Sequence, residues 1–107
     1  MTEEQFNKVV EDTLDEIRNT LIVKGKEYRR HNNPFHNFET GASKSGRTRE
    51  QVLDGFLLKH EISIADMTND LDKGILPKVE TVNEKFGDNI IYLLLKKAMF
   101  VDRINTK

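Results

Sequence analysis

The sequence predicts an all-α protein, a bundle of long helices in a single domain spanning residues 1–107. Apolar residues recur at three- and four-residue intervals along most of the chain, which is the period of one buried helical face. Two Thr-x-x-Gln sequences, beginning at Thr2 and Thr48, match the capping box that starts a helix. No strand-like alternation competes with these patterns. With 107 residues the chain is too short for a second domain.

Three helices follow from these patterns, at about residues 3–24, 49–73 and 77–104. Helical propensity in KEYRR allows the first helix to continue to residue 30. Gly74 is a good stop for the second helix, and Pro77 suits the first turn of the third. Residues 25–48 are predicted to form a basic, aromatic loop, in which Asn33-Pro34 can start one helical turn.

The lengths of the predicted helices indicate that one chain cannot cover all of its apolar surface. A helix of about 25 residues is about 38 Å long, whereas a compact chain of this size has a diameter of about 34 Å. The run IIYLLL at residues 90–95 is apolar almost all round its helix. We therefore expect a homo-oligomer.

Composition excludes several classes of site. The chain has no cysteine, which excludes disulfides, thiolate zinc sites and a cysteine nucleophile. Its amino terminus lacks the apolar segment of a signal peptide, and no run of about 18 apolar residues is long enough to cross a membrane. We expect a cytoplasmic protein without a membrane partner.

Charge is concentrated in the middle of the chain, although the net charge is only -1. Residues 24–49 hold seven bases against two acids, whereas residues 1–23 hold six acids against two bases. A basic block of this kind binds small anions or is simply a solvated loop. We do not expect nucleic acid as a partner, because the block is short and the helices on either side are acidic or mixed.

The same basic segment carries Phe35, His36 and Phe38, which a simple linker has no reason to keep. These aromatic residues either plug the end of the helix bundle or enclose a flat ligand, and the two roles are compatible.

Polar residues interrupt the apolar faces of the second and third helices. Lys59, Ser63, Asp66 and Asp70 form one stripe. On the third helix, Glu84 and Asp88 are also aligned, so an antiparallel pair of helices can bring the four carboxylates together around Mg²⁺. The alternative is a solvent-exposed line of charges. We expect His60 to be a core or interface residue, and Gly87 to mark a close approach by another element or a ligand.

Two stretches of the chain resemble a known family. EKFGDNIIYLLL, at residues 84–95, is similar to the metal-binding E-E-x-G-D segment of the MazG-like, all-α nucleoside triphosphate pyrophosphohydrolases. KGKEYRRHNNPFHNFETGA and GFLLKHEISIADM resemble small phage proteins of MazG-like appearance. The resemblance covers about residues 24–104 and implies nucleotide binding in a bacterial host cell.

The chain departs from the family pattern at the metal site. The family has acids in E-x-x-E and E-x-x-D spacing, but Lys85 stands three residues before Asp88, and Glu61 and Asp66 are five apart. The resemblance therefore implies a nucleotide-binding scaffold with a weakened catalytic metal site.

The function expected from these observations is sequestration of a nucleotide or a cyclic nucleotide signal by a phage-type, anti-defence protein that needs no cofactor. The catalytic residues, if there are any, are not identified. The expected ligand-binding residues are Arg29, Arg30, Phe35, His36, Asn37, Phe38, Lys44, Arg47, Lys59 and Lys85.

Two alternatives stay open. One is a Mg²⁺-dependent nucleoside triphosphate pyrophosphohydrolase in which the metal ligands are Asp66, Asp70, Glu84 and Asp88. The other is a protein-binding inhibitor of a host factor.

Overall fold

The computed structural model describes residues 1–23, 25, 30 and 32–106, and their regular structure is helical. The four α-helices are α1 (Glu3–Arg18), α2 (His36–Ser45), α3 (Arg49–Asp72) and α4 (Val79–Asn105). A π-helical turn, Asn19–Val23, extends α1. The all-α class and the three long helices are thus confirmed, with ends that lie within two residues of those predicted when the π-helical turn is counted with α1.

Two predicted helix starts and one predicted stop are confirmed by hydrogen bonds and backbone geometry. The Thr2 hydroxyl accepts the backbone N–H of Gln5, and the Gln5 side chain accepts the backbone N–H of Thr2. Thr48 and Gln51 form the same reciprocal pair at the start of α3. Gly74 follows α3 with a φ of 76°, a left-handed conformation that glycine adopts without steric cost. The prediction that Pro77 lies in the first turn of the third helix is wrong, because α4 begins at Val79 after the N-cap residue Lys78.

The prediction of a loop over residues 25–48 is wrong for residues 36–45, which form α2. Phe35, the residue before this helix, and Phe38 in its first turn are both buried against α3 and α4. Asn33 supports the start of the helix, since its side-chain oxygen accepts the backbone N–H of Phe35 at 3.0 Å. Aromatic burial therefore outweighs the weak helical propensity of the Gly, Ser and Asn residues in this segment.

The buried core is small and lies where α2 packs on the antiparallel pair α3 and α4. Its members are apolar residues that contact one another and are less than a tenth exposed: Phe35, Phe38, Leu53, Leu57 and Met99. Ile17 is buried separately, where α1 meets α4. Phe35 and Phe38 are therefore core residues, as the plug role implied, but Phe38 packs against Tyr92 in the middle of α4 and not at its end.

Arg49 joins three helices at one end of the bundle. Its guanidinium donates hydrogen bonds to Glu39 of α2, and to Asp102 and the carbonyl oxygen of Met99 in α4. It also lies 4.8 Å from the centre of the Phe35 ring, in a cation–π contact. Burial opposes its charge, but the hydrogen bonds to Asp102 and Glu39 outweigh burial and raise the pKa of Arg49.

The molecule is elongated and exposes a large area. Its extents are 46 × 28 × 26 Å and its radius of gyration is 16.2 Å, against about 13 Å for a compact chain of 100 residues. The surface area is 8429 Å², whereas a compact monomer of 12.4 kDa exposes about 6,100 Å². In the described part of the chain, no helix is long and apolar enough to cross a membrane.

Candidate functional site

One groove on the surface, called here the aromatic groove, lies where three elements converge. These elements are the π-helical turn, the start of α2 and the middle of α4. Its volume is about 310 Å³, which is within the range of small-molecule sites. The residues around it include Thr20, Gly25, Asn37, Phe38, Asp88 and Tyr92.

A second groove, called here the acidic groove, adjoins the first between α1 and α4. It has a volume of about 350 Å³ and shares Thr20, Asp88 and Ile91 with the aromatic groove. Three carboxylates line it, from Glu16, Glu84 and Asp88. The two grooves together form a continuous surface that is aromatic at one end and negatively charged at the other.

Ring contacts fix the wall of the aromatic groove. Phe38 packs edge-on against Phe56 and Tyr92, with ring centres 6.1 and 6.4 Å apart. Tyr92 also stacks against Phe56, and it stacks against His60 with their centres 5.1 Å apart. These contacts join α2, α3 and α4. The rings are therefore held in place before any ligand arrives.

His60 and Asp88 form a polar contact beside these rings. The Nδ1 atom of His60 lies 3.7 Å from a carboxylate oxygen of Asp88, which makes an ion pair when the imidazole is protonated. Burial raises the pKa of Tyr92 above its ordinary value, and the negative charge of Asp88 raises it further. Tyr92 is therefore a neutral hydrogen-bonding group at the groove wall.

Of the residues expected to bind a ligand, Asn37 and Phe38 line the aromatic groove. Phe35 does not, because it is buried beneath Arg49. His36 is half-buried in the first turn of α2, and Arg30 is exposed. Arg29 lies outside the described residues.

The other expected ligand-binding residues line neither groove. Lys44 and Arg47 are exposed at the far end of α2, where Arg47 borders Gln51 and Gly55 of α3. Lys59 is exposed on α3, and Lys85 is half-buried on α4.

The four carboxylates expected to hold a metal are divided between two helices. Asp66 is exposed and Asp70 is half-buried on α3, whereas Glu84 and Asp88 line the acidic groove from α4. Among the described residues, no three His, Asp or Glu side chains converge closely enough to hold a metal ion. Gly87 also borders the acidic groove, and a β-carbon built there meets nothing within 4 Å, so the close approach expected at Gly87 is not made within the described chain.

Sequence reasoning missed Thr20 and Tyr92 as groove residues. Tyr92 follows Asp88 by four positions and therefore shares its helical face, a signal that was present in the sequence. Thr20 has no such signal, because its position depends on how α1 packs against α4.

No protein-family model matches this chain, and comparisons with curated proteins and with solved structures give no significant match.

Proposed function

We propose that the chain is a nucleotide-binding protein of MazG-like type that holds its ligand in the aromatic groove and sequesters it. One observation carries this proposal. The groove combines Asn37 and Phe38, from the basic aromatic segment, with Asp88 and Tyr92, from the segment of α4 that resembles the MazG-like family. The two parts of the sequence that suggested nucleotide binding thus border one ligand-sized space.

The base and the sugar are assigned to the aromatic groove. Phe38 and Tyr92 provide apolar, aromatic walls suited to a flat heterocycle. The Asn37 amide can both donate and accept hydrogen bonds, and the Asp88 carboxylate accepts them from amino or hydroxyl groups. Groups of this kind occur on the edge of a base and on a sugar ring.

The phosphates are assigned to the basic segment rather than to the acidic groove. Glu16, Glu84 and Asp88 repel phosphate when no cation is present, so the phosphates extend away from them. Gly25 lines the aromatic groove, and its sequence neighbours are Lys24 and Lys26. Those two lysines lie outside the described residues, so the assignment of the phosphates rests only on their positive charge.

The proposal includes a homo-oligomer. It is supported by the large surface area that the single chain exposes. The chain exposes about 2,300 Å² more than a compact monomer of its mass. Stable interfaces bury about 800 Å² or more on each partner, and obligate ones bury more. Association of identical chains accounts for a surplus of this size.

Calorimetry with defined nucleotides tests the binding proposal. The probes are the eight common ribonucleoside and deoxyribonucleoside triphosphates, cyclic AMP and cyclic GMP, each without metal. Asn37→Ala should weaken binding by about 2- to 12-fold, the value of one hydrogen bond. Asn69→Ala, at another exposed asparagine, on α3, is the matched control and should bind as the parent chain does. Absence of binding by all ten probes contradicts the proposal.

The acidic groove favours a second candidate, Mg²⁺-dependent hydrolysis of a nucleoside triphosphate. Glu16, Glu84 and Asp88 face one space beside the aromatic groove, and carboxylates so placed attract a hard cation. The cation would offset their charge and activate water. These carboxylates would have to move closer together to share one ion.

A product assay separates the two candidates. Sequestration predicts that no pyrophosphate is released with Mg²⁺ or Mn²⁺ present, and that binding survives EDTA. Hydrolysis predicts metal-dependent release that is lost in Asp88→Asn, because the amide keeps the shape and removes the charge. Release with that dependence supports the second candidate against the first.

A further inference from the structure

The outer face of α4 carries an exposed apolar stripe with the spacing of a coiled coil. Its positions are separated by four, three, four, three and four residues, and all six side chains are exposed. They lie within an arc of about 80° and extend over about 27 Å of the helix. This α4 stripe consists of Phe86, Ile90, Leu93, Lys97, Phe100 and Ile104.

The α4 stripe points away from the core of its own chain. Tyr92 and Met99, which pack in the aromatic cluster and the core, lie about 120 to 140° round the helix from the centre of the stripe. Lys96 and Arg103 reach α3 from the flank of the stripe. A heptad pattern of apolar residues normally packs against a neighbouring helix. In this chain the residues of the stripe are not part of the buried core.

We propose that the α4 stripe packs against the same stripe of a second copy of this chain, with the two helices antiparallel. This assignment rests on the homo-oligomer proposed above and specifies its surface. It does not depend on which ligand the grooves bind.

The stripe is complementary to itself in the antiparallel direction. Its spacing is symmetric about residue 95, so Phe86 faces Ile104 of the second copy and Ile90 faces Phe100. Leu93 faces Lys97, whose aliphatic stem covers it while the ammonium reaches solvent. A parallel pair would instead bring Lys97 against its own copy, and like charges repel.

The flanks of the stripe also suit this arrangement. On one side, Leu94 and Val101 are exposed and extend the apolar surface, so Leu94 meets its own copy near the twofold axis. On the other side, Lys96 pairs with Asp54 at 2.7 Å and Arg103 pairs with Glu50 at 2.6 Å. These two positive charges are thus compensated within their own chain.

A hollow at the end of the stripe provides space for the second copy. It has a volume of about 440 Å³ and is bordered by Phe100 and Ile104 of α4 and Thr48 of α3. In the antiparallel register, Phe86 of the second copy arrives at this end. The surplus of exposed area described above is also large enough to supply such an interface.

Light scattering of the full chain at micromolar concentration tests this surface. The parent protein should have a mass of at least twice 12.4 kDa. Ile90→Asp should reduce that mass twofold, because it sets a charge against Phe100 of the second copy. Ile62→Asp is the matched control: Ile62 is an exposed isoleucine on α3, outside the stripe, and this change should leave the mass unaltered. Circular dichroism verifies that both variants are helical.

The possible outcomes separate a failure of the α4 stripe from a failure of the homo-oligomer proposal. A parent protein of 12.4 kDa contradicts both the oligomer and the α4 stripe. An oligomeric parent whose mass is unchanged by Ile90→Asp contradicts the α4 stripe alone and leaves the oligomer in place.

Disulfide formation tests the direction independently, since the chain has no cysteine of its own. Phe86→Cys and Ile104→Cys chains should form a mixed disulfide when combined and little disulfide when kept apart. Crosslinking of each variant to itself, with no mixed product, contradicts the antiparallel arrangement.

Discussion

Arg49 makes more than one kind of contact at the edge of the core, and each depends on the shape of its side chain. Its guanidinium reaches Glu39, Asp102 and the Met99 carbonyl at once, while its flat face covers Phe35. A guanidinium has five donors in a rigid, planar arrangement, and an ammonium on a flexible stem cannot reproduce it. One side chain thus holds α2 and α4 at the start of α3.

Arg49→Lys should destabilise the protein although it preserves the charge. Loss of hydrogen bonds to charged partners costs about 1.5 to 3 kcal/mol. Arg47→Lys, a nearby exposed arginine, is the control and should change the free energy of unfolding by no more than about 0.5 kcal/mol. Urea unfolding at fixed protein concentration measures both. Equal stability of Arg49→Lys and the parent would show that the lysine maintains the contacts.

Tyr92 makes a pH-dependent contribution to the stability of the fold, and the direction of its pKa shift fixes the sign of that contribution. Burial, and then the charge of Asp88, raise the pKa of Tyr92 above 10.0. Because the folded value exceeds the unfolded one, this contribution to stability is complete below pH 10.0 and is lost as the pH rises through the folded value.

Spectrophotometric titration measures the ionisation of Tyr92 alone in a Tyr28→Phe chain, where Tyr92 is the remaining tyrosine. Asp88→Asn in that chain should lower the midpoint of Tyr92 ionisation, since one of the two causes is removed, and leave it above 10.0. A midpoint that does not move contradicts the proximity of Asp88 to Tyr92.

At the scale of elements, α2 is the feature that connects the core to the aromatic groove. Its inner face buries Phe38, and its exposed Asn37 borders the groove. Phe38 belongs to both places, so Phe38→Ala would create a cavity costing about 3 to 5 kcal/mol in addition to any effect on a ligand. Asn37 is therefore the better residue for testing the groove.

The start of α2 depends on Asn33. Its side chain accepts the backbone N–H of Phe35, the N-cap residue, in an Asx turn, and donates to Glu39. Asn33→Ala should lower the free energy of unfolding by about 1 kcal/mol, the value of a lost hydrogen bond. Asn69→Ala on α3 serves as the control, with the same urea unfolding measurement. Identical losses in the two variants would contradict a stabilising role for the Asn33 turn.

The elements differ in how far local sequence determines them. The long helices could be placed from sequence because their caps and apolar periodicity are local, as the reciprocal bonds of Thr2 and Thr48 demonstrate. α2 could not, since its stability comes from burying Phe35 and Phe38 against residues that are distant in sequence. The residues of the grooves show the same division. Asn37 and Phe38 were expected to bind a ligand and Asp88 was expected only as a metal ligand of the enzyme alternative, whereas Thr20 depends on packing between α1 and α4.

The whole molecule combines a small core with long, partly uncovered helices. Its exposed area and its radius of gyration both exceed those of a compact chain of this length. The α4 stripe faces away from both Tyr92 and the buried face of α4, so self-association through it leaves the aromatic groove open. Binding and assembly can therefore be measured separately.

Nuclear magnetic resonance titration tests the nucleotide site most directly, with nitrogen-labelled protein and the tightest of the ten calorimetric probes. The account predicts that the backbone amide signals of Thr20, Asn37, Asp88 and Tyr92 shift with saturating dependence on nucleotide concentration. The amide of Leu58, on an exposed part of α3, should not shift. Unchanged signals at the aromatic groove, or shifts confined to another surface, would contradict nucleotide binding at this site.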